Sequence, residues 1–510
     1  MTTKLLTERY SADLSGVVNC FDRVVLTGNL QPLCYAKGMT KYLYVHNIRI
    51  FDYTKFAEPL RNQIRANAEA IAQAHGLKID FISKSQSFRK EARIRQIVQT
   101  RGDHPGLVHI FAAMEACPAY RPWHNKETGK TYVKSTSGKC LHYYFYFIAE
   151  ELGLCYLRVP TWCPFRLQFY FNGHNWLAAQ LKAQGIAFEL HDNAFLQIAD
   201  FEQAAQLAQQ LDISRLHAQL NQLAQTYCPV VTALGLEYSW SIMQAEYATD
   251  LVFTQPATLQ AFYPHLLETL IQAVKPADVA TFLGRKLHGN YQGEMGNRFN
   301  VRQLGTRIKH QMGPVSIKMY DKFARVLRLE TTVNDVTFFP QYRQVPHRDG
   351  TTSTQWTKMK KTVYSLPALQ EVLLAANHRY LKFISDIATP EVGVHKLQQL
   401  TETRVETHHR YKGFNLLAEE DACLFRLLAR GEFSISGFTN RSLRQHLPHQ
   451  NSGQVSRLLK RLRVHGLIKK IGQHYKYYLT ELGRQVILMA LKLRELIIIP
   501  ELAQGDPVQV

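Results

Sequence analysis

Two short segments carry the residue types best suited to chemistry. Val315–Lys322 (Val-Ser-Ile-Lys-Met-Tyr-Asp-Lys) and Arg328–Val333 (Arg-Leu-Glu-Thr-Thr-Val) place a tyrosine, two acids and several cations around one turn. Strand alternation puts Arg328 and Glu330 on the same face, so a guanidinium and a carboxylate project together across a hairpin. Oxygen ligands of this kind suit a hard divalent ion, expected at Glu330 and Asp321, and Tyr320 beside it could attack a phosphodiester. The plainer alternative is a tyrosine and a salt bridge that only hold the hairpin together.

A second set of acids, Asp22, Glu115 and Asp192, lies within or just beyond expected strands. Nucleases and transposases of the ribonuclease H-like type gather carboxylates in this way to hold two metal ions. Asp22 followed directly by Arg23 departs from that pattern and also fits an ion pair. Glu115 equally fits a cap for the turn at Cys117-Pro118. The expected cofactor is Mg²⁺ or Mn²⁺. Zinc is not expected, because the eight cysteines form no Cys-x-x-Cys pair and His408-His409 is the only adjacent histidine pair. The aromatic run Tyr143–Phe147, with Trp162 to Arg166, reads as core rather than as a base-stacking platform.

These residues need a scaffold, and the pattern along the chain is that of a multidomain α/β or α+β protein. Residues 1–200 alternate strand-like and helix-like stretches. Residues 201–403 read as an α+β domain with a helical insertion over about 200–280, and Gln344–Thr354 reads as a polar loop. Residues 404–510 read as a winged helix. Its order is a helix over Ala418–Arg430, a short helix from Thr439 through Leu447, a basic helix over Asn451–His465, two strands joined at Gly472-Gln473-His474, and a closing helix from Thr480. Asn451 with Gln454 three positions on is a helix-start signal, and Val455, Leu458, Leu459 and Leu462 form an apolar stripe.

A winged helix points to duplex nucleic acid. Arg441, Arg444, Asn451, Gln454, Arg457, Lys460 and Arg461, with Lys469, Lys470 and Lys476 on the wing, are the expected contacts. A wing used for protein contacts is the alternative. Sixty-one Lys and Arg against 41 Asp and Glu leave a formal charge of +20, a field that attracts polyanions. Arg89, Lys90 and Arg93, in a basic helix expected over Lys84–Arg101, extend that footprint. DNA is the expected partner and RNA the second possibility. With no secretory-type N-terminus and no run of about twenty apolar residues, a cytoplasmic chain without a membrane partner is expected.

The stretch Val315–Val333 resembles the strand pair of plasmid rolling-circle replication initiators, with Leu283-Gly284-Arg285-Lys286 as a weaker echo upstream. That resemblance implies metal-assisted nicking, with Glu330 as a ligand and Tyr320 as nucleophile. The His-hydrophobe-His motif of those proteins has no counterpart here. The order of Phe21-Asp22-Arg23, Gly138-Lys139-Cys140, Ile317–Lys322 and a terminal winged helix also resembles a bacterial multidomain family, which implies a shared architecture but no reaction. The expected function is DNA processing of mobile-element type, by a metal-dependent nuclease, transposase or replication initiator. The alternative is a non-enzymatic transcription regulator or an RNA-binding ribonucleoprotein scaffold.

Overall fold

The computed structural model describes residues 4–83, 89–287, 291, 294–302, 305–347, 349–387, 390–471 and 475–503. The expected turn Gly472–His474 and residues 84–88 of the expected basic helix lie outside the described residues. The fold is mixed α/β with several layers, and the chain divides into two compact units between Ala388 and Thr389. No helix among the described residues is long and apolar enough to cross a membrane.

One large sheet organises the first unit. Its strands are β1 (Leu14–Leu30), β2 (Ile79–Ile82), β3 (Gly106–His124), β4 (Thr131–Ala149), β5 (Gly153–Pro160), β6 (Leu167–Phe171), β9 (Tyr238–Phe253), β10 (Met295–Arg302), β11 (Gly305–Met312), β12 (Val315–Lys322) and β13 (Val326–Val333). The hairpin strands β7 (Phe188–His191) and β8 (Ala194–Ile198) pair only with each other, as do β14 (Pro340–Pro346) and β15 (Thr352–Lys358). The eleven strands run in the order β10-β11-β12-β13-β9-β1-β6-β5-β4-β3-β2. Every neighbouring pair is antiparallel except β2 with β3.

This topology overrides the boundary expected at residue 200, because β9 fills the gap between β1 and β13. It also corrects the helical reading of residues 200–280. Helices do cover Phe201–Leu207, Ile213–Tyr227 and Pro256–Ala273, yet the 16-residue β9 runs between them. The expected loop over Gln344–Thr354 narrows to the connection between β14 and β15, its flanks forming a strand pair with Tyr342 opposite Trp356 and Gln344 opposite Thr354. The aromatic run of β4 is core, as expected: Tyr143 to Phe147 are all buried.

The two faces of the sheet differ. The Leu366–Ile387 helix buries Leu366, Leu369, Leu373, Ala376, Tyr380 and Ile384 at intervals of three and four. It covers the face that holds Tyr247, Thr249 and Thr331. There the Asn377 amide donates to the Tyr247 carbonyl at 3.0 Å, and the Thr331 hydroxyl donates to Asn377 Oδ1 at 2.6 Å. These bonds satisfy a fully buried amide. Alternation sends Glu246 and Asp250 of β9, and Arg328 and Glu330 of β13, to the opposite face.

The second unit holds β16 (Arg404–Glu406), β17 (His409–Tyr411), β18 (Phe438–Thr439), β19 (Ile468–Lys470) and β20 (Lys476–Leu479). Its core joins Leu400 and Phe414 to Phe425, Leu428, Leu443, Val455, Leu459, Leu462, Ile468, Leu479 and Ile487. Leu400 belongs to the Pro390–Thr401 helix, so this unit begins before the boundary expected at 403. The strands β18, β20 and β19 form a three-stranded sheet beside the helices Asn440–Arg444, Ser452–Val464 and Glu481–Leu493. Gly483 allows the last helix to close on the chain leading into β19, because a Cβ there would meet the Leu467 carbonyl at 1.9 Å.

Candidate functional site

Three adjacent strands bring three carboxylates together. Asp22 on β1, Glu246 on β9 and Glu330 on β13 each offer an oxygen, and these oxygens lie within 4.8 Å of one another. Cross-strand register explains two of the three: Glu330 faces Ala248 and Thr332 faces Glu246. Asp22 arrives differently. The β1–β9 register shifts between Phe21 and Arg23, and this bulge aims Asp22 at the same face.

A buried cation fixes the group. Arg328 is fully buried and forks onto Asp250, with Nε to Oδ1 and Nη2 to Oδ2 both at 2.6 Å. Its Nη1 donates to Asp22 Oδ1 at 3.2 Å, and Nη2 also reaches the Asn193 carbonyl at 2.5 Å. His174 fills the remaining space, with Nδ1 3.1 Å from Asp22 and Nε2 2.9 Å from Arg328 Nη2. It stands in the first turn of the Gly173–Ala183 helix, which Asn172 caps by accepting the His174 and Asn175 N–H groups. Gly173 is required there, since a Cβ would lie 2.0 Å from the Phe21 carbonyl.

The electrostatics set Asp22 and Glu246 apart. Burial alone would push the Asp22 carboxyl up, but Arg328, His174 and Lys322 outweigh it and hold Asp22 well below the usual carboxylate range. Asp250 is lowered in the same way, its burial outweighed by Arg328 and His174. Glu246 moves the other way: burial and the Glu330 carboxylate push it up against the pull of Lys318. Lys318 pairs with Glu330 and lies 3.6 Å from Glu246. Gln244 and Thr332 also donate to Glu246 Oε1, at 3.2 and 3.3 Å.

Three carboxylates converging on one point are a hard-oxygen donor set that fits Mg²⁺ or Mn²⁺, and one of them stays ionised because Arg328 is beside it. The Lys318 ammonium now supplies the positive charge near Glu330 and Glu246. A divalent ion would take over that role and free the ammonium to meet an anionic substrate.

The other expected residues divide. Tyr320 does reach the site and donates to Glu330 Oε2 at 2.5 Å. Burial and the Glu330 charge raise its pKa well above the ordinary value, so the phenol stays protonated and is not an activated nucleophile in this arrangement. Asp321, adjacent on β12, points to the opposite face by alternation and is absent from the acid cluster, which corrects its expected ligand role. Its Oδ1 is buried without a hydrogen-bond partner among the described residues, and burial raises its pKa.

The set Asp22, Glu115 and Asp192 does not assemble. Glu115 is held by Arg158 at 2.6 Å and by the Tyr144 hydroxyl at 2.6 Å. Four strand spacings, roughly 19 Å, separate its strand from β1. Asp192 is exposed in the β7–β8 turn at φ 56° and pairs loosely with Lys322 at 3.8 Å and Arg95 at 3.9 Å. Burial and Arg328 lower the Lys322 pKa to about 8. Glu246, Asp250 and His174 escaped the sequence reading. The four-residue spacing of Glu246 and Asp250 puts them on one face of a helix as well as of a strand, so only the pairing of β9 between β1 and β13 brings them to Asp22 and Arg328.

In the second unit Asn451 and Gln454 spend their side chains on a reciprocal cap, Asn451 N–H to Gln454 Oε1 at 2.7 Å and Gln454 N–H to Asn451 Oδ1 at 2.9 Å. Arg461 is structural rather than a free contact. It grips Asp421 at 3.0 Å, donates to the Lys412 and Gly413 carbonyls, and lies 3.9 Å over the Phe414 ring. Lys460 pairs with Glu406 at 2.9 Å. Arg441, Arg444 and Arg457 are exposed and have no side-chain ion pair among the described residues. Arg441 and Arg444 line a groove of about 500 Å³ with Lys460, Arg463, Tyr475 and Tyr477. Lys469 and Lys476 are exposed on β19 and β20, and Lys470 lies 4.1 Å from the Tyr475 ring.

In the first unit Arg89 and Arg93 are exposed at the Lys90–Arg101 helix. Lys90 instead turns inward, 3.3 Å from the Tyr144 ring, and burial lowers its pKa. Comparison with known proteins adds no assignment: no family model, no curated protein and no solved structure matches this chain.

Proposed function

We propose that this chain is a nucleic-acid-processing enzyme in which Asp22, Glu246 and Glu330 hold Mg²⁺ or Mn²⁺ and promote phosphodiester cleavage or strand transfer. The single observation that carries this reading is the convergence of the three carboxylates within 4.8 Å. A bound divalent ion supplies charge neutralisation on a phosphoryl oxygen and an acidified water. Around it Lys318 meets the substrate phosphate and Arg328 keeps Asp22 ionised and in place.

The second unit, in this reading, is a winged helix that directs the chain to duplex DNA. Its support is the order of helices and strands, the capped basic helix Ser452–Val464 and the groove faced by Arg441 and Arg444. The free and the engaged arginines should then behave differently. Arg457→Ala should lower the slope of log affinity against log salt by about 1 with thermal stability unchanged. Arg461→Ala should cost about 2–3 kcal/mol of stability in this unit, because it strips charged hydrogen bonds from Asp421 and two carbonyls. Calorimetry with duplex titrations at several salt concentrations checks both. Equal effects of the two substitutions would refute the distinction.

The test of the enzyme reading is direct. Purified full-length protein is incubated with end-labelled single- and double-stranded DNA, and with RNA, in Mg²⁺, Mn²⁺ or EDTA. Cleavage or joining that needs the metal is expected, and Tyr320→Phe should retain it. A protein-linked strand lost in Tyr320→Phe would instead favour the replication-initiator resemblance. The Lys318–Glu330 and Arg328–Asp250 pairs favour a second reading, since buried ion pairs also serve purely structural ends. Salt-sensitive binding with no turnover in either metal would establish that non-enzymatic reading, a regulator or RNA-bound scaffold.

A further inference from the structure

The β14–β15 ribbon carries an aromatic pair in the open. Trp356 is 70 % exposed and Tyr342 59 %, and they sit directly across the ribbon from each other with ring centroids 5.6 Å apart. Each of the other four tryptophans is 40 % exposed or less. The same ribbon face continues with Gln344 opposite Thr354 and Pro340 opposite Lys358, all exposed. It therefore offers two π surfaces, an amide, a hydroxyl and an ammonium to solvent.

A cross-strand aromatic pair does help to hold a ribbon, by about 0.2–1 kcal/mol. That role does not call for rings left this exposed, and the ribbon has firmer anchors. Phe339, Met359 and Val363 at its base are almost fully buried, Met359 N–H donates to the Phe339 carbonyl at 3.0 Å, and Ile242 N–H donates to the Lys361 carbonyl at 2.6 Å. The arm is rooted in the core and displays its aromatic face outward.

Charge says what would cover that face. Among the described residues Lys358 shares the aromatic face and Lys360 is exposed at the ribbon's base, while Arg343 lies on the other face against the Gln344 and Lys358 carbonyls and Lys361 pairs with Asp335 at 3.3 Å. An apolar peptide gains nothing from such a field, whereas an unpaired polynucleotide offers flat bases for the rings and phosphates for the cations. Position agrees with this. Ile242, where the ribbon is tied to β9, lies four residues from Glu246, roughly 13 Å along the strand. The rings stand beyond that root, Trp356 five residues before Lys361, so a strand running from them to Glu246 must cover the length of the ribbon as well.

We propose that the β14–β15 ribbon is a binding platform for single-stranded nucleic acid, on which bases stack against Trp356 and Tyr342 while Lys358 and Lys360 hold the backbone. This rests on the nucleic-acid-processing reading and adds to it a strand-binding element outside the acid cluster. Because stacking accepts every base, the platform should have little sequence preference.

The experiment uses full-length protein in EDTA, so that metal-dependent turnover plays no part, with a fifteen-residue oligothymidylate as probe. Binding should quench tryptophan fluorescence and shield the exposed tryptophan from acrylamide. Trp356→Ala and Tyr342→Ala should each weaken oligothymidylate binding by at least about fivefold, with duplex binding and melting temperature unchanged. Trp356→Phe, which keeps a ring, should retain most of the affinity but lose the quenching. Parent-like affinity in both alanine variants, or unchanged acrylamide access on binding, would overturn the platform, as would shielding of Trp356 by protein concentration alone. Loss of the platform leaves metal-dependent duplex cleavage to stand by its own assay. Absence of all nucleic-acid binding would remove both readings.

Discussion

Arg328→Gln should destabilise the first unit by about 3–5 kcal/mol, the usual cost of removing one partner from a buried ion pair. No solvent reaches Arg328, and it alone bridges Asp250, Asp22 and the Asn193 carbonyl. Without it two carboxylates remain in a nearly dry site, with His174 beside both and the Asn193 amide and Lys322 acting on Asp22. The pH dependence follows from the direction of their shifts. In the parent, Asp250 has a lowered pKa, so its stabilising contribution is complete above the ordinary aspartate range and is lost as the pH falls through and below it. In the variant, burial acts unopposed by the guanidinium and pushes the same carboxyl up. The deficit should therefore be largest near pH 8 and shrink toward pH 5, where protonation relieves it. Arg328→Lys should restore charge but not the fork, recovering only part of the loss. Denaturant unfolding at both pH values measures this. A deficit below 1 kcal/mol, or one that grows on acidification, would contradict the role given to Arg328.

The parts of this arrangement that were legible in the sequence are the local ones. Helix starts announce themselves through nearby residues, so the starts at Asn451 and Thr480 are readable, and both side chains cap their helices, accepting from the Gln454 and Gly483 N–H groups. The shared face of Arg328 and Glu330 followed from alternation in a short apolar strand. The acid cluster was only half legible. Glu330 and Asp22 are 308 positions apart, and nothing local says that β9 lies between their strands. A helix over residues 200–280 would also keep Glu246 and Asp250 on one face, but it would not lay them beside β1 and β13. The bulge at Asp22 is invisible for the same reason, since it exists only in register with β9. Asp321 failed because proximity in sequence was taken for proximity in space, although adjacent strand residues point apart. Glu115 and Arg461 failed because a charge was read as available. The structure commits each to a partner, Arg158 and Asp421 respectively.

Glu246→Gln should cut metal-dependent cleavage by about 10²–10³-fold while leaving the fold nearly as stable as the parent, which makes it the sharpest probe of the acid cluster. The separation rests on where each acid stands. Glu330 is 2 % exposed and is held by both Lys318 and Tyr320, so changing it disturbs packing and chemistry together. Asp22 is tied to Arg328, His174 and Asn193 and has the same defect. Glu246 keeps 15 % of its side chain exposed, and its raised pKa means that burial and Glu330 already work against its charge. A glutamine keeps the oxygen that accepts from Gln244 and Thr332, and Lys318 keeps Glu330. Only the anionic oxygen that a divalent ion needs is gone. Thermal shift with Mn²⁺ should accordingly lose most of its metal-induced stabilisation in this variant. Glu115→Gln is the matched control: it breaks a comparable pair with Arg158 several strands away, and should lower stability without slowing cleavage. Parent-like cleavage by Glu246→Gln, or a Mn²⁺ shift unchanged from the parent, would mean that these three carboxylates hold no metal and that their convergence is structural.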